Sequence, residues 1–468
     1  MQTRLSPQTL ATREGQRAEE ILRACVHCGF CNAVCPTYQL LGDELDGPRG
    51  RIYLIKELLE ADAAQQPALA DNDDVGDAAE DAAQAQVASV AQPFDPGQAA
   101  VAMTHLDRCL TCRACETACP SGVAYGELLE IGREQLEPQV ERGWTVRLKR
   151  WLLLRLVPYP ARLAPWLRIL NALSPVLRRL PWRMGGVPVA RLLPPLKAAA
   201  PVRHARPSRG GDAVRVRAEP GLGNGAEDSK PRSSGRKVLV LQGCIQRLST
   251  PEANQRLTAL LSRAGVQAVQ PAGEGCCGGL SLHLGEGEQA RQQIRENLRA
   301  LQPHLEGVEA ILSTASGCGV TVKDYGRLLA DDPAWAELAT QVSALTLDAA
   351  QYLRRLDLPL VQRRPWRRIA WMPSCTLQHG QRVRGDVEAL LQSAGYELVA
   401  VPDAHLCCGA AGSYAVMQPE LSGELRTRKL RNLMTATPEA IATANIGCQL
   451  HLHAGTDTPV VHYLELIG

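Results

Sequence analysis

The chain of 468 residues carries 51 Lys and Arg against 49 Asp and Glu, with 16 Cys. A net charge of +2 gives no global affinity for nucleic acid or another polyanion, and the length accommodates two or three domains whose cores need no disulfides. No charged, apolar, small-residue leader occurs in the first thirty residues, so a reducing compartment with thiolates free for metal is expected.

In chain order the first signal is CVHCGFCNAVCP, from Cys25 to Pro36, and CLTCRACETACP repeats it from Cys109 to Pro120. Both runs read C-x2-C-x2-C-x3-C-P, the thiolate spacing of a two-cluster bacterial ferredoxin, in which the fourth Cys of each run serves the other cluster. The expected ligands of one 4Fe-4S cluster are Cys25, Cys28, Cys31 and Cys119. Those of the second are Cys109, Cys112, Cys115 and Cys35. Structural zinc needs only pairs of C-x2-C and explains neither the third Cys of each run nor the Pro after the fourth.

Asp46 and Gly47 before Pro48 mark a helix start, and Ile52, Ile55, Leu58 and Leu59 follow at helical spacing. Residues 61–100 are rich in Ala, Asp and Gln, and no Lys or Arg occurs from Glu57 to Asp107. So little apolar surface cannot offset the entropy of ordering, and a flexible acidic insertion is expected there.

From Gly143 to Gly211 the balance reverses: there is no Asp or Glu, and four of the seven Trp fall in this stretch. No uncharged apolar run approaches the roughly 18 residues of a membrane span. Short helices broken by Pro158, Pro165, Pro175 and Pro181 suit two roles, an amphipathic arm on an anionic lipid surface or an arm packed on a partner or on the chain's own core. Residues 201–235, rich in Pro, Gly, Ser and charge, read as a linker.

Beyond the linker lies a duplication. An apolar run ending at Cys244 is matched by one ending at Cys375, each followed after 31 residues by Cys-Cys-Gly, at Cys276, Cys277 and at Cys407, Cys408. Helices over 251–264 and 383–394 and strands over 266–270 and 396–401 are expected in between, with later strands ending at Cys318 and Cys448. Alternation of strand and helix implies two α/β units with parallel sheets. Their eight cysteines are open to three readings: buried inert thiols, a further redox or metal site, or a docking surface for a redox partner.

The expected architecture is mixed α and α/β. A mostly helical ferredoxin-like domain spans 1–140, the basic arm 141–200, the linker 201–235, and the cysteine-rich units 236–350 and 367–468. Little catalytic machinery is found: the sequence holds no G-x-S-x-G, H-E-x-x-H or P-loop, and no G-x-G-x-x-G is expected to follow a strand and open a helix. GLGNG around Gly221 sits in the linker and reads as a hinge. His27 reads as a solvent-facing loop residue, with tuning of a cluster as its alternative role. Arg49, Arg51, Arg108 and Arg113 flank the thiolates and are expected to offset their charge.

CVHCGFCNAVCPTYQLLGDELDGPRGRIYLIKELLE and HLDRCLTCRACETACPSGVAYGELLEIGR closely resemble the iron-sulfur subunit of bacterial glycolate oxidase, an acceptor-dependent glycolate dehydrogenase. The two CCG units resemble cysteine-rich domains of heterodisulfide reductase and of anaerobic glycerol-3-phosphate dehydrogenase. One departure is that Ala315 and Asn445 stand where the fullest CCG motif has the first Cys of a C-x2-C pair. The resemblance implies an electron-transfer subunit with two 4Fe-4S clusters and no substrate site of its own. FAD would sit on partner subunits that oxidise glycolate to glyoxylate, the acceptor would be a quinone at the membrane, and the chain would be cytoplasmic and peripheral on the inner face of the cell membrane. Rival readings are the corresponding subunit of a glycerol-3-phosphate or lactate dehydrogenase, and a non-catalytic tether for nucleic acid or membrane.

Overall fold

The computed structural model describes residues 1–64, 96–177, 183–188, 191 and 235–468. Its N-terminal part is helical. Pro48 opens the Pro48–Ala64 helix, where its missing N–H costs nothing. Ile52, Ile55, Leu58 and Leu59 are all buried, and they join Leu22 of the Arg13–Ala24 helix, Met103 and Leu106 of Pro96–Asp107, and Leu128 and Leu129 of Tyr125–Leu136 in one core. Gly132 permits the closest of these crossings, since a Cβ there would stand 2.7 Å from Ile55 Cγ1.

The acidic stretch expected over 61–100 is helical at both ends, up to Ala64 and from Pro96, because each end continues a helix packed on this core. Residues 65–95 lie outside the described residues, as do 201–234 of the expected linker. The arm forms the helices Trp144–Leu156, Pro160–Ala172 and Ser174–Leu177. It then turns into a two-residue hairpin, β1 (Arg183–Met184) against β2 (Val187–Pro188), through Gly185 and Gly186 at positive φ. Arg426 donates to Gly185 O and ties this hairpin to the Pro419–Met434 helix.

Two four-stranded parallel sheets follow. The first runs β4 (Gln267–Val269), β3 (Lys237–Leu241), β5 (Val308–Ser313), β6 (Thr346–Asp348). The second repeats it as β8 (Glu397–Leu398), β7 (Arg368–Met372), β9 (Ala440–Thr443), β10 (Val460–His462). Strand residues alternate between two apolar environments, as a sheet covered on both faces requires. Val238, Val240, Ile369 and Trp371 enter a core shared by the two units. Leu239 and Leu241 pack under Ile294 and Leu298, whereas Ala370 and Met372 pack under Leu430 and Leu433.

One expectation is corrected. The later strands stop at Ser313 and Thr443, and Cys318 and Cys448 lie in the first turns of the helices Ser316–Lys323 and Ile446–His453. Gly317 and Gly319 beside Cys318, and Gly447 before Cys448, are poor helix formers and concealed these helices.

Candidate metal centre

Both ferredoxin-type runs fold alike. The third and fifth residues of each take left-handed backbone, His27 and Gly29 at φ +56° and +81°, and Thr111 and Arg113 at +49° and +56°. Left-handed geometry costs a non-glycine residue about 1–2 kcal/mol. Arg113 is held there by Asp324, 2.6 Å from its guanidinium.

Two hollows lie between the runs. The first is lined by Cys25, Cys28, Cys31, Cys115 and Cys119. The second is lined by Cys35, Cys109, Cys112 and Cys115, so Cys115 borders both. The fourth Cys of each run therefore faces the hollow of the other. Cys28 is exposed, which brings the first hollow to the surface, while Cys35 and Cys115 are buried at the second.

The donor set suits tetrathiolate iron-sulfur clusters. Burial pushes the Cys31 thiol up to about 11 and lifts Cys112 and Cys115 well above the usual thiol range. Such thiols keep their protons at neutral pH unless a metal displaces them. His27 Nε2 is buried without a partner on the wall of the first hollow. His27 is thus half-buried rather than solvent-facing, and burial holds its imidazole below the ordinary value.

Around the second hollow the polar groups converge on sulfur. Thr37 Oγ1 lies 3.2 Å from Cys35 Sγ, Arg51 Nη1 3.9 Å from the same sulfur, and Tyr125 donates to Cys109 Sγ at 3.5 Å. The four flanking arginines have different partners. Arg49 pairs with Glu44, Arg108 with Asp46, and Arg113 with Asp324 and Glu130. Arg51 also meets Asp46, yet it is the one whose guanidinium reaches a cysteine sulfur among the described residues.

The eight remaining cysteines form two rows at the carboxyl ends of the parallel strands, the edge at which open α/β sheets bind ligands. Cys244, Cys276, Cys277 and Cys318 neighbour one another in the first unit. The second has Cys375 Sγ 3.8 Å from Cys407 Sγ, followed by Cys408 and Cys448. The glycine after each Cys pair is needed: Gly278 and Gly409 sit at φ +89° and +90°, and a Cβ on Gly409 would meet Ser422 O at 2.8 Å. Asn445 donates to Cys448 Sγ at 3.5 Å and accepts from Gly317 N, so it joins the two units.

The rows differ in charge. Beside the first, Glu274 is buried and accepts from Gln242 N and Gly243 N. Beside the second, Lys429 is buried with three carbonyl partners, Asp403 O, Ala404 O and Leu406 O at 3.2, 2.8 and 2.8 Å. The second row touches the ferredoxin-type site, with Cys375 and Cys407 packing with Cys112 and Leu110. Among the hydrogen bonds that dock the loops onto these units are Thr111 to His283 at 3.2 Å, Thr117 to His379 at 2.8 Å and Arg113 to Asp324 at 2.6 Å. Tyr125, Thr37 and Lys429 carried no motif signal, and Asp46 signalled only a helix start.

Residues 21–123 match the 4Fe-4S dicluster domain family, and residues 238–323 and 369–453 each match the cysteine-rich domain family. The chain is 28% identical to the probable glycolate oxidase iron-sulfur subunit of Bacillus subtilis, over 92% of this chain and 88% of that one. It is 23% identical to lactate utilization protein A of Oceanobacillus iheyensis, over 50% of this chain and 96% of that one. Identity to the glycolate oxidase iron-sulfur subunit of Escherichia coli K12 is 41% over 100% of this chain and 98% of that one. Likeness sustained from end to end, over the cysteine runs and both α/β units, settles the family: this chain belongs to the glycolate oxidase iron-sulfur subunits.

Proposed function

We propose that this chain is the electron-transfer subunit of a flavin-dependent glycolate dehydrogenase. FAD-bearing partner subunits oxidise glycolate to glyoxylate, and this chain, holding two 4Fe-4S clusters, carries the electrons to a quinone-type acceptor at the inner face of the cell membrane. The observation that carries the reading is the exchange of fourth cysteines between the two hollows. Cys25, Cys28, Cys31 and Cys119 hold one cluster, and Cys109, Cys112, Cys115 and Cys35 the other. A 4Fe-4S cluster, when bound, supplies one-electron chemistry and does not recognise an organic substrate.

The protein supplies position and charge. Arg51 places a cation beside Cys35 and Tyr125 a donor beside Cys109, and Cys35 and Cys115 of the second site are buried. The cysteine row Cys375, Cys407, Cys408 and Cys448 is read as a further redox or metal site, favoured by its contact with Cys112 and by the buried Lys429 ammonium, which calls for anionic sulfur nearby. The first row, Cys244, Cys276, Cys277 and Cys318, borders the buried Glu274 carboxyl and is the second candidate for such a site.

Anaerobic purification tests the proposal. About eight iron and eight sulfide per chain are expected from the ferredoxin-type sites alone, with a flavoprotein co-purifying. Four or fewer iron, or the lack of any flavoprotein partner, would overturn it.

A further inference from the structure

The sequence left two roles for the basic arm, and its helices present one face to the body and another to solvent. In Trp144–Leu156 the buried residues are Arg150 and Leu154, and Arg150 donates to Leu284 O and pairs with Glu137. In Pro160–Ala172 the buried residues are Leu163 and Leu167. These contacts fix the arm to the molecule.

The outer residues carry the inference. Seven of the thirteen large hydrophobic side chains left exposed among the described residues lie on these two helices and the turn after them. Trp144, Leu148, Trp151 and Leu152 recur at helical spacing and are 75%, 47%, 56% and 40% exposed, and Trp166 and Ile169 continue on the next helix at 55% and 52%. Such clustering goes beyond the scattered apolar residues of an ordinary surface. Arg147, Lys149, Arg155 and Arg168 are exposed among them.

We infer that this outer face docks the subunit on an anionic lipid surface, with Trp and Leu entering the headgroup boundary and Arg and Lys at the phosphates. Charge complementarity selects lipid as the occupant. Protein interfaces fix register with charges of both signs, yet from Gly143 to Gly211 there is no Asp or Glu. A leaflet of acidic phospholipid presents one sign everywhere, and Trp is the residue enriched at its interface. No helix among the described residues is long and apolar enough to cross a membrane, so the mode is peripheral. The inference deepens the membrane part of the proposed function and rests on it for its purpose.

Sedimentation with vesicles tests it. The purified complex should bind vesicles of phosphatidylethanolamine and phosphatidylglycerol in a three-to-one ratio, with a blue shift of Trp emission, and should bind pure phosphatidylcholine vesicles at least about tenfold more weakly. The variant W144A/W151A/W166A should lose about tenfold in binding to the acidic vesicles while keeping glycolate-driven reduction of a soluble dye. A second variant, R147E/K149E/R155E, should lose binding and its salt dependence together. Wild-type failure to bind acidic vesicles, or unchanged binding by both variants, overturns the inference. Loss of dye reduction in the Trp variant with vesicle binding intact also overturns it, by assigning the face to a protein partner. If the wild type binds vesicles through this face but reduces no dye with glycolate, the docking stands and the proposed function falls.

Discussion

Arg51 Nη1 lies 3.9 Å from Cys35 Sγ, and this buried guanidinium couples the second hollow to the helical core. Its Nε donates to His105 O at 2.8 Å, and Nη2 reaches Thr37 and Asp46. Asp46, fully buried, also receives Arg108 at 2.8 Å and lies 3.0 Å from His105 Nδ1. Burial alone would weaken the Arg51 charge, but Cys109, Tyr125, Cys35 and Asp46 outweigh it and hold the guanidinium protonated.

Arg51→Met is accordingly expected to destabilise the protein by about 3–5 kcal/mol, the usual cost of removing one partner of a buried ion pair. Arg51→Lys keeps the charge but not the fork of donors and should recover only part of this. Chemical denaturation measures both. A loss below about 1 kcal/mol for the Met variant would mean that Arg108 and His105 suffice for Asp46.

Cys35→Ala tests the exchange of ligands. The damaged site should be the one whose other walls are Cys109, Cys112 and Cys115, although Cys35 is nearer in sequence to Cys31. Electron paramagnetic resonance of the reduced protein should lose one cluster signal, the same one that Cys112→Ser removes. Loss of the signal removed by Cys28→Ser would falsify the exchange.

These relationships mark what the sequence makes legible. Cysteine spacing is read directly because three ligands share one short loop, and the α/β repeat is legible because strand and helix periods recur with the Cys-Cys-Gly that ends a loop. The Asp46 network is not legible: Asp46 and Arg108 are 62 residues apart and meet only when the helices pack. The same holds for Thr111 with His283 and Thr117 with His379, which join elements 172 and 262 residues apart. Arg113 repeats the left-handed position of Gly29, but an arginine gives no hint of it without the Asp324 and Glu130 that hold its side chain.

Two buried groups give the stability opposite dependences on pH. Burial lowers the His462 imidazole from 6.5 to about 4, so between these values the unfolded chain binds more protons, and this contribution is lost as pH falls. Burial raises the Asp348 carboxyl from 3.8 to about 7, so the folded chain binds more protons there, and its contribution is lost as pH rises toward 7. Asp348 accepts from Ala350 N as a helix cap, and its other oxygen has no partner. Asp348→Asn keeps the cap and removes the charge, so its stability relative to wild type should rise from pH 5 to pH 8 by on the order of a few kcal/mol. A difference in urea midpoint that stays flat over this range rules out the burial of an ionising Asp348.

The division of labour gives the last test. The eight ferredoxin-type thiols suit clusters of one-electron chemistry, and the one G-x-G-x-x-G that follows a strand and opens a helix among the described residues, Gly273 to Gly278, carries Cys276 and Cys277 and leads into a helix of only five residues, so the proposed function gives removal of the α-hydrogen of a 2-hydroxy acid to the flavoprotein partner. The isolated chain should therefore fail to oxidise glycolate with any dye. Recombined with its partner it should restore transfer to a quinone analogue. Cys112→Ser should then abolish that transfer while glycolate still bleaches the flavin at an unchanged rate, because the serine sits on this chain between donor and acceptor. Stopped-flow absorbance separates the steps, the first read from the flavin band and the second from the quinone analogue. Slowed flavin bleaching would give this chain a part in substrate oxidation, and glycolate turnover by the flavin-free chain would overturn the assignment outright.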